Sequence, residues 1–265
     1  MRQKGHVIKK IPIFFDARIT KGTFTALVKM KKDKKTLKNS MLCDTSTCFM
    51  CKHCIEEWRP AICANKINIK LKKGDVLFNE GDPVEGIYFV YNGNIKVYKQ
   101  WDDDKELIIR FAENGAILGH RGIGANLNYP VSAAALEPSV VCYVSMKFFE
   151  STLKVNGELT YQLVNFFASE LRKSERRMRD LAHMPVKGRV AGALIKLQKQ
   201  FGITPDGFIN IVLSRQDLAS FAGATYETVF RVITELAQEQ IIRLSGKSIA
   251  IVNHDALTAL RKHGK

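Results

Sequence analysis

The chain has 265 residues, 46% of them hydrophobic, with 41 Lys and Arg against 26 Asp and Glu, a net charge of +15 and a pI near 9.6. That length holds two modest domains with real cores. No apolar run reaches the roughly 18 to 20 residues of a membrane span, and the N-terminus lacks a signal peptide's apolar stretch, so a cytoplasmic protein without membrane contact is expected.

Within residues 1–42, twelve Lys and Arg face only Asp16 and Asp33, so ten of the fifteen net positive charges sit there. The run Lys31-Lys32-Asp33-Lys34-Lys35 reads as a flexible, solvated extension, with an anion-binding arm as the alternative.

Residues 43–66 form a cysteine-rich segment. Five of the six cysteines (Cys43, Cys48, Cys51, Cys54 and Cys63) fall within 21 residues. Thiolates packed this densely bind zinc, hold an iron–sulfur cluster or form disulfides, and a reducing cytoplasm disfavours the last.

Residues 67–150 read as β. Short alternating runs such as Ile67/Ile69/Leu71 and Leu107/Ile109/Phe111 are separated by turn glycines, which predicts an antiparallel barrel or sandwich. Cys142 stands alone in the apolar run Val140–Val144, where it reads most simply as an inert core residue.

The period then changes. Leu159, Leu163, Phe167, Leu171, Met178 and Leu181 recur at helical spacing over a region taken as 151–184, predicting one long amphipathic helix. Its narrow stripe suits the seam of a parallel homodimer, interrupted near Ser174; a helix lying on its own barrel is the alternative.

Residues 185–265 read as a third unit. Pro185 marks a helix start, Val190–Phe201 a helix and Phe208–Val212 a short strand. Ser214 caps one helix, Gly223 ends it and Thr225 caps another that runs from Tyr226 to Leu236. Ile241–Leu244, a turn at Gly246 and Ile249–Ile251 form a hairpin wing. Val229, Val232, Ile233 and Leu236 point inward on this pattern, leaving Tyr226, Glu227, Phe230 and Arg231 outside. Arg can read guanine and Glu can read cytosine in a major groove, although Glu227 and Arg231 can equally form a surface i,i+4 pair. The expected class is α+β: cysteine segment, antiparallel β-roll, long helix, winged helix-turn-helix.

This order resembles the CRP/FNR family of bacterial transcription regulators over about residues 48–260. The glycines of Lys73-Gly74-Asp75 and Gly81-Asp82 match its cyclic-nucleotide-binding-like jelly roll. Ser214-Arg215-Gln216 is similar to the family's phosphate-contacting segment, and Gly223 to Arg231 to its recognition helix. The resemblance implies a homodimer that binds palindromic double-stranded DNA and works with RNA polymerase. It implies base reading by Tyr226, Glu227, Phe230 and Arg231, with phosphate contacts from Ser214, Arg215, Gln216, Thr225 and Thr228.

Where the cyclic-AMP branch carries Gly-Glu and Arg-Ser-Ala, this chain has Gly119-His120 and Val131-Ser132-Ala133, so the arginine that pairs with the cyclic phosphate is missing. Ala135–Cys142 resembles instead the FNR-branch segment that supplies a distant cysteine to a [4Fe-4S] cluster. The implied cofactor is that cluster, on Cys51, Cys54 and Cys142 with Cys48 or Cys63 as the remaining ligand. The spacing departs from the FNR pattern Cys-x2-Cys-x5-Cys. The implied role is sensing of O2, NO or redox state, with no enzymatic activity. Two rivals stand beside it: a heme or small-ligand sensor using His120 or His53 with structural zinc on the cysteines, and an iron–sulfur electron-transfer protein.

Overall fold

Residues 36–37, 44–102, 105–124 and 126–263 are described by the structure, a computed structural model. The basic extension and Cys43 lie outside them, except Thr36–Leu37, which forms a short strand, β1. The cysteine segment folds as α1 (Phe49–His53), a single 3-10 turn (Glu56–Trp58) and α2 (Arg59–Asn65).

The strands follow as β2 (Ile67–Leu71), β3 (Val76–Phe78), β4 (Gly86–Asn92), β5 (Ile95–Gln100), β6 (Glu106–Ala112), β7 (Ile117–Leu118), β8 (Ser132–Ala135) and β9 (Ser139–Ser145). Among the described residues they pair antiparallel in two sheets, ordered β1-β2-β9-β4-β7 and β3-β8-β5-β6. Strand alternation sorts the faces of the first sheet. Ile87, Phe89, Cys142 and Val144 share a core with Met50, Ile62, Phe149 and Leu159 of the helices. On the opposite side Tyr88 meets Phe78 of the second sheet. Both faces of β4 are thus covered, and its residues 86–90 are all buried.

One helix was expected after the β-roll; the structure has two. Ser145 caps α3 (Met146–Val155), accepting from the Phe148 N–H at 3.3 Å. The chain breaks at Asn156, then runs through α4 (Gly157–His183). The break has a cause: the fully buried Asn156 donates to the Thr152 carbonyl at 2.8 Å and accepts from the Ile55 N–H at 2.9 Å, a partner outside the helix. No described helix is long and apolar enough to cross a membrane.

Beyond Pro185 lie α5 (Val186–Phe201), α6 (Arg215–Ala222), α7 (Tyr226–Gln238), the strands β10 (Ile242–Ser245) and β11 (Ser248–Ile251), and α8 (His254–His263). The strand expected over 208–212 is a single bridge, Ile203 to Ile209. Ile209 instead donates to the Ile249 carbonyl at 2.8 Å, and Ile211 turns back to Ile209. Both caps form as expected: Ser214 Oγ accepts from Asp217 N at 2.9 Å, and Thr225 Oγ1 from Thr228 N at 3.4 Å. Gly223 sits at φ +67°, the left-handed conformation that strains other residues, so the helix end demands glycine. Val229, Val232, Ile233 and Leu236 are buried. Each contributes roughly 1.5–3 kcal/mol by leaving water.

Candidate metal centre and nucleic-acid interface

The thiol site starts from a turn. Asp44 accepts from Ser46 N at 2.8 Å and from the Ser46 and Thr47 hydroxyls, which hold its carboxyl well below the usual range. Phe49 N then donates to the Gly115 carbonyl at 2.9 Å. A Cβ on Gly115 would lie 2.1 Å from the Thr47 carbonyl, so the segment rests directly on the β-roll.

Cys48 is the N-cap of α1, Cys51 lies one turn on and Cys54 is the C-cap. Spacing of three puts successive side chains on one face. Cys142 arrives from β9, opposite Phe89 of β4 and Asn68 of β2. Cys48, Cys51 and Cys142 line one pocket together with Met50, Ile62 and Lys66. Cys54 is buried in the same core as Cys51 and Cys142. Burial, and then the neighbouring Cys48, push the Cys54 thiol up to about 11. Cys63, half-buried on α2, is not among the pocket-lining residues. Among the described residues, no three His, Cys, Asp or Glu side chains converge closely enough to hold a single metal ion.

The surroundings suit an anionic sulfur cluster. Asn68 is 1% exposed, and Cys142 Sγ donates to its Oδ1 at 3.1 Å while its Nδ2 has no hydrogen-bond partner. A half-turn of that amide presents an N–H to a thiolate, and such outer donors tune iron–sulfur sites. Lys66, also buried, lines the same pocket. Sequence reasoning missed both; the alternation of β2, which pairs Asn68 with Cys142, was the available signal.

The same segment is fastened to both helices that follow the β-roll. Besides Ile55 to Asn156 at the break, Trp58 Nε1 donates to Thr152 Oγ1 of α3 at 3.1 Å and its ring stacks on Phe148 of α3. Phe49 packs on Phe166 of α4 with ring centroids 5.5 Å apart. Leu159 and Leu163, expected at a dimer seam, are buried in their own β-roll core, because the first turns of α4 lie on the barrel. Phe167 is half-exposed, Leu171 and Met178 are 61% and 60% exposed, and Tyr161 and Val164 join them. Leu181 is half-buried against Gly223.

His120 is buried against Phe166 and Phe167 of α4. Burial, then Arg110 and Arg121, hold its pKa well below the usual value. The β-roll pocket beside it is small, with room for little more than a water molecule. Phe78 and Tyr129, stacked 4.1 Å apart, help fill it.

At the other end, Tyr226, Glu227, Phe230 and Arg231 all face outward on α7. Tyr226 and Phe230 stack at 6.1 Å, an aromatic ridge legible in their i,i+4 spacing. Arg231 leans on Glu235 at 3.9 Å, not on Glu227, and its side chain is 73% exposed. Ser214 and Thr225 act first as helix caps, with Thr228 Oγ1 3.0 Å from Thr225 Oγ1; Gln216 is exposed in the first turn of α6. Helix N-termini of this kind present N–H groups to phosphates. Arg215 donates to the Gly246 and Lys247 carbonyls, both at 3.1 Å, so it braces the wing. Lys96 of β5 bonds Glu106 at 2.5 Å and Asp217 at 3.2 Å, joining the β-roll to this unit.

A β-roll, a long helix with an exposed apolar stripe and a winged helix-turn-helix together define a DNA-binding transcription regulator. Residues 68–156 match the cyclic nucleotide-binding domain family and residues 188–260 the Crp-like helix-turn-helix domain. The chain belongs to the CRP/FNR family of transcription regulators, which are not enzymes. It is 34% identical to the anaerobic regulatory protein of Bacillus subtilis, over 68% of this chain and 78% of that one. It is 31% identical to the transcriptional activator protein anr of Pseudomonas aeruginosa, over 72% and 78%. The solved structure of FixK2 from Bradyrhizobium japonicum superposes with a TM-score of 0.65 at 25% identity, covering 73% of this chain and 96% of that one.

Proposed function

We propose that this chain is a homodimeric regulator reporting O2, NO or redox state through a [4Fe-4S] cluster on Cys48, Cys51, Cys54 and Cys142. The carrying observation is one pocket walled by Cys48, Cys51 and Cys142, with Cys54 in the same core. Thiols set around a pocket, rather than converged on a point, suit a polynuclear cluster better than a single zinc ion. The relative named for anaerobic regulation supports the same reading. When bound, the cluster supplies an oxygen-reactive core tied to four thiolates. The chain's residues do the rest. Cys54 is followed by Ile55, whose N–H is held by Asn156 at the start of α4, and Phe49 packs on Phe166. Segment 48–58 therefore sets the position of α4. The exposed stripe Tyr161, Val164, Leu171 and Met178, with Phe167, is the surface offered to a second copy. Interrupted at Ser174, it leaves a dimer that a modest change upstream can part. DNA and RNA polymerase are the partners in this scheme.

Anaerobic purification with an absorbance spectrum and iron and sulfide counts tests the cofactor. Sedimentation velocity is expected to give a dimer that moves toward monomer in air. The same dimer in both conditions would remove the switch and leave the DNA function standing.

Asn156→Ala is expected to leave the Ile55 N–H unsatisfied, at a cost of about 1–3 kcal/mol. The urea midpoint should fall, the anaerobic spectrum should stay, and dimerisation should weaken. An unchanged dimer constant would show that this bond does not carry the coupling.

A further inference from the structure

A solvent-open pocket lies where the end of α4 meets α5, α6 and α8, with Arg177, Asp180, Arg189, Lys196, Phe221 and Arg261 among its lining residues. Four cations there face one carboxylate, and Asp180 is already held by Arg179 at 2.6 Å. Among the described residues, no carboxylate forms an ion pair with Arg177, Arg189, Lys196 or Arg261. Arg177 gives its two Nη groups to the Ile109 and Phe221 carbonyls at 2.8 and 2.9 Å, and Arg189 gives Nη1 to the Gly223 carbonyl at 2.8 Å. Arg189 Nε is buried with no acceptor. The crowding is felt by the groups themselves. Arg177 is pushed down to about 10 by burial and then by Arg189. Lys196 is pushed down by desolvation and then by Arg177, Arg261 and Arg176, against the pull of Asp180.

We propose that this pocket binds the phosphoryl group of a small phosphorylated molecule. Guanidinium forks match phosphoryl oxygens in geometry, and Lys adds a point charge. A single carboxylate would offset only one of the excess charges, whereas a phosphoryl dianion or a diphosphate offsets two or more. DNA backbone is the less suitable occupant: no residue of α7 or the wing lines the pocket. The lining spans the joint Met184–Pro185 between α4 and α5. Occupancy would therefore fix the DNA-reading unit against the long helix, giving the regulator a second input. The proposal is independent of the iron–sulfur reading.

The test is isothermal titration of the full chain with pyrophosphate at low ionic strength, comparing wild type with Lys196→Gln, Arg261→Gln and the double variant. Both residues are exposed, so unchanged melting temperatures without ligand are expected. The expected result is saturable binding at one site per chain, weakened at least tenfold in each single variant. No saturable heat, or equal binding by wild type and double variant, overturns the proposal. A parallel titration with random-sequence duplex DNA covers the other occupant. If the variants lose DNA affinity and salt dependence while pyrophosphate fails to bind, the cations are backbone contacts and the proposal falls.

Discussion

Cys142→Ala is expected to remove the iron almost completely while leaving a folded protein. Cys142 is one of four thiols around the proposed centre, and a cluster needs all four. The side chain lies at the edge of the core, so the lost packing is that of one small hydrophobe. Cys51→Ala and Cys54→Ala should behave alike. Cys48→Ala and Cys63→Ala separate the two registers that spacing alone left open. The structure brings Cys48 to the pocket wall with Cys51 and Cys142, and does not put Cys63 there. Iron should thus be lost from Cys48→Ala and retained by Cys63→Ala, with Cys43→Ala neutral. Anaerobic iron and sulfide counts with the visible spectrum decide it, and far-ultraviolet circular dichroism confirms the fold. Full iron in Cys142→Ala would end the four-thiolate assignment.

The β-roll, the helix-turn-helix and its caps could be read from the chain because their signals are local. Ser214, Gly223 and Thr225 mark helix ends whatever surrounds them, and β-strand alternation needs only neighbours. Two kinds of feature could not. The first is a break imposed by a distant partner. Asn156 looks helix-compatible in the periodic run, and it ends α3 because its side chain answers an N–H 101 residues away. The second is which side of an amphipathic helix faces what. Leu159 and Leu163 share a stripe with Leu171 and Met178, yet the barrel takes the first pair and leaves the second exposed. Periodicity gives the stripe; tertiary packing divides it. The joint pocket belongs with these, since its four cations come from three helices spread over residues 177–261.

Arg231→Ala is expected to weaken operator binding by about 1–3 kcal/mol, a factor of roughly 5 to 150, and to relax preference at one guanine. Arg231 reaches outward from α7 with only a loose contact to Glu235 to give up, so little is lost in turning it to a base. Glu227, one helical turn earlier on the same face, is placed to accept from a cytosine. In the CRP/FNR family the matching glutamate and arginine read a TGA-type core, and the same core is the expectation for this pair. Between them, where FNR regulators carry serine, stands Phe230, stacked on Tyr226. A ring cannot donate or accept as a hydroxyl does, but it packs on a thymine methyl. The inner core should therefore be kept and the outer bases should differ, and Phe230→Ser should move them toward the FNR preference. Arg215→Ala should act differently. Its loss frees the Gly246 and Lys247 carbonyls of the wing and would remove the phosphate contact that the family resemblance implies, so affinity should fall for all sequences alike. A symmetric dimer should bind half-sites about one helical turn apart. Selection from a random DNA pool under anaerobic conditions, repeated with Arg231→Ala, decides it. Recovery of no palindrome, or of one whose guanine survives the loss of Arg231, would overturn the assignment of Arg231 as the base reader.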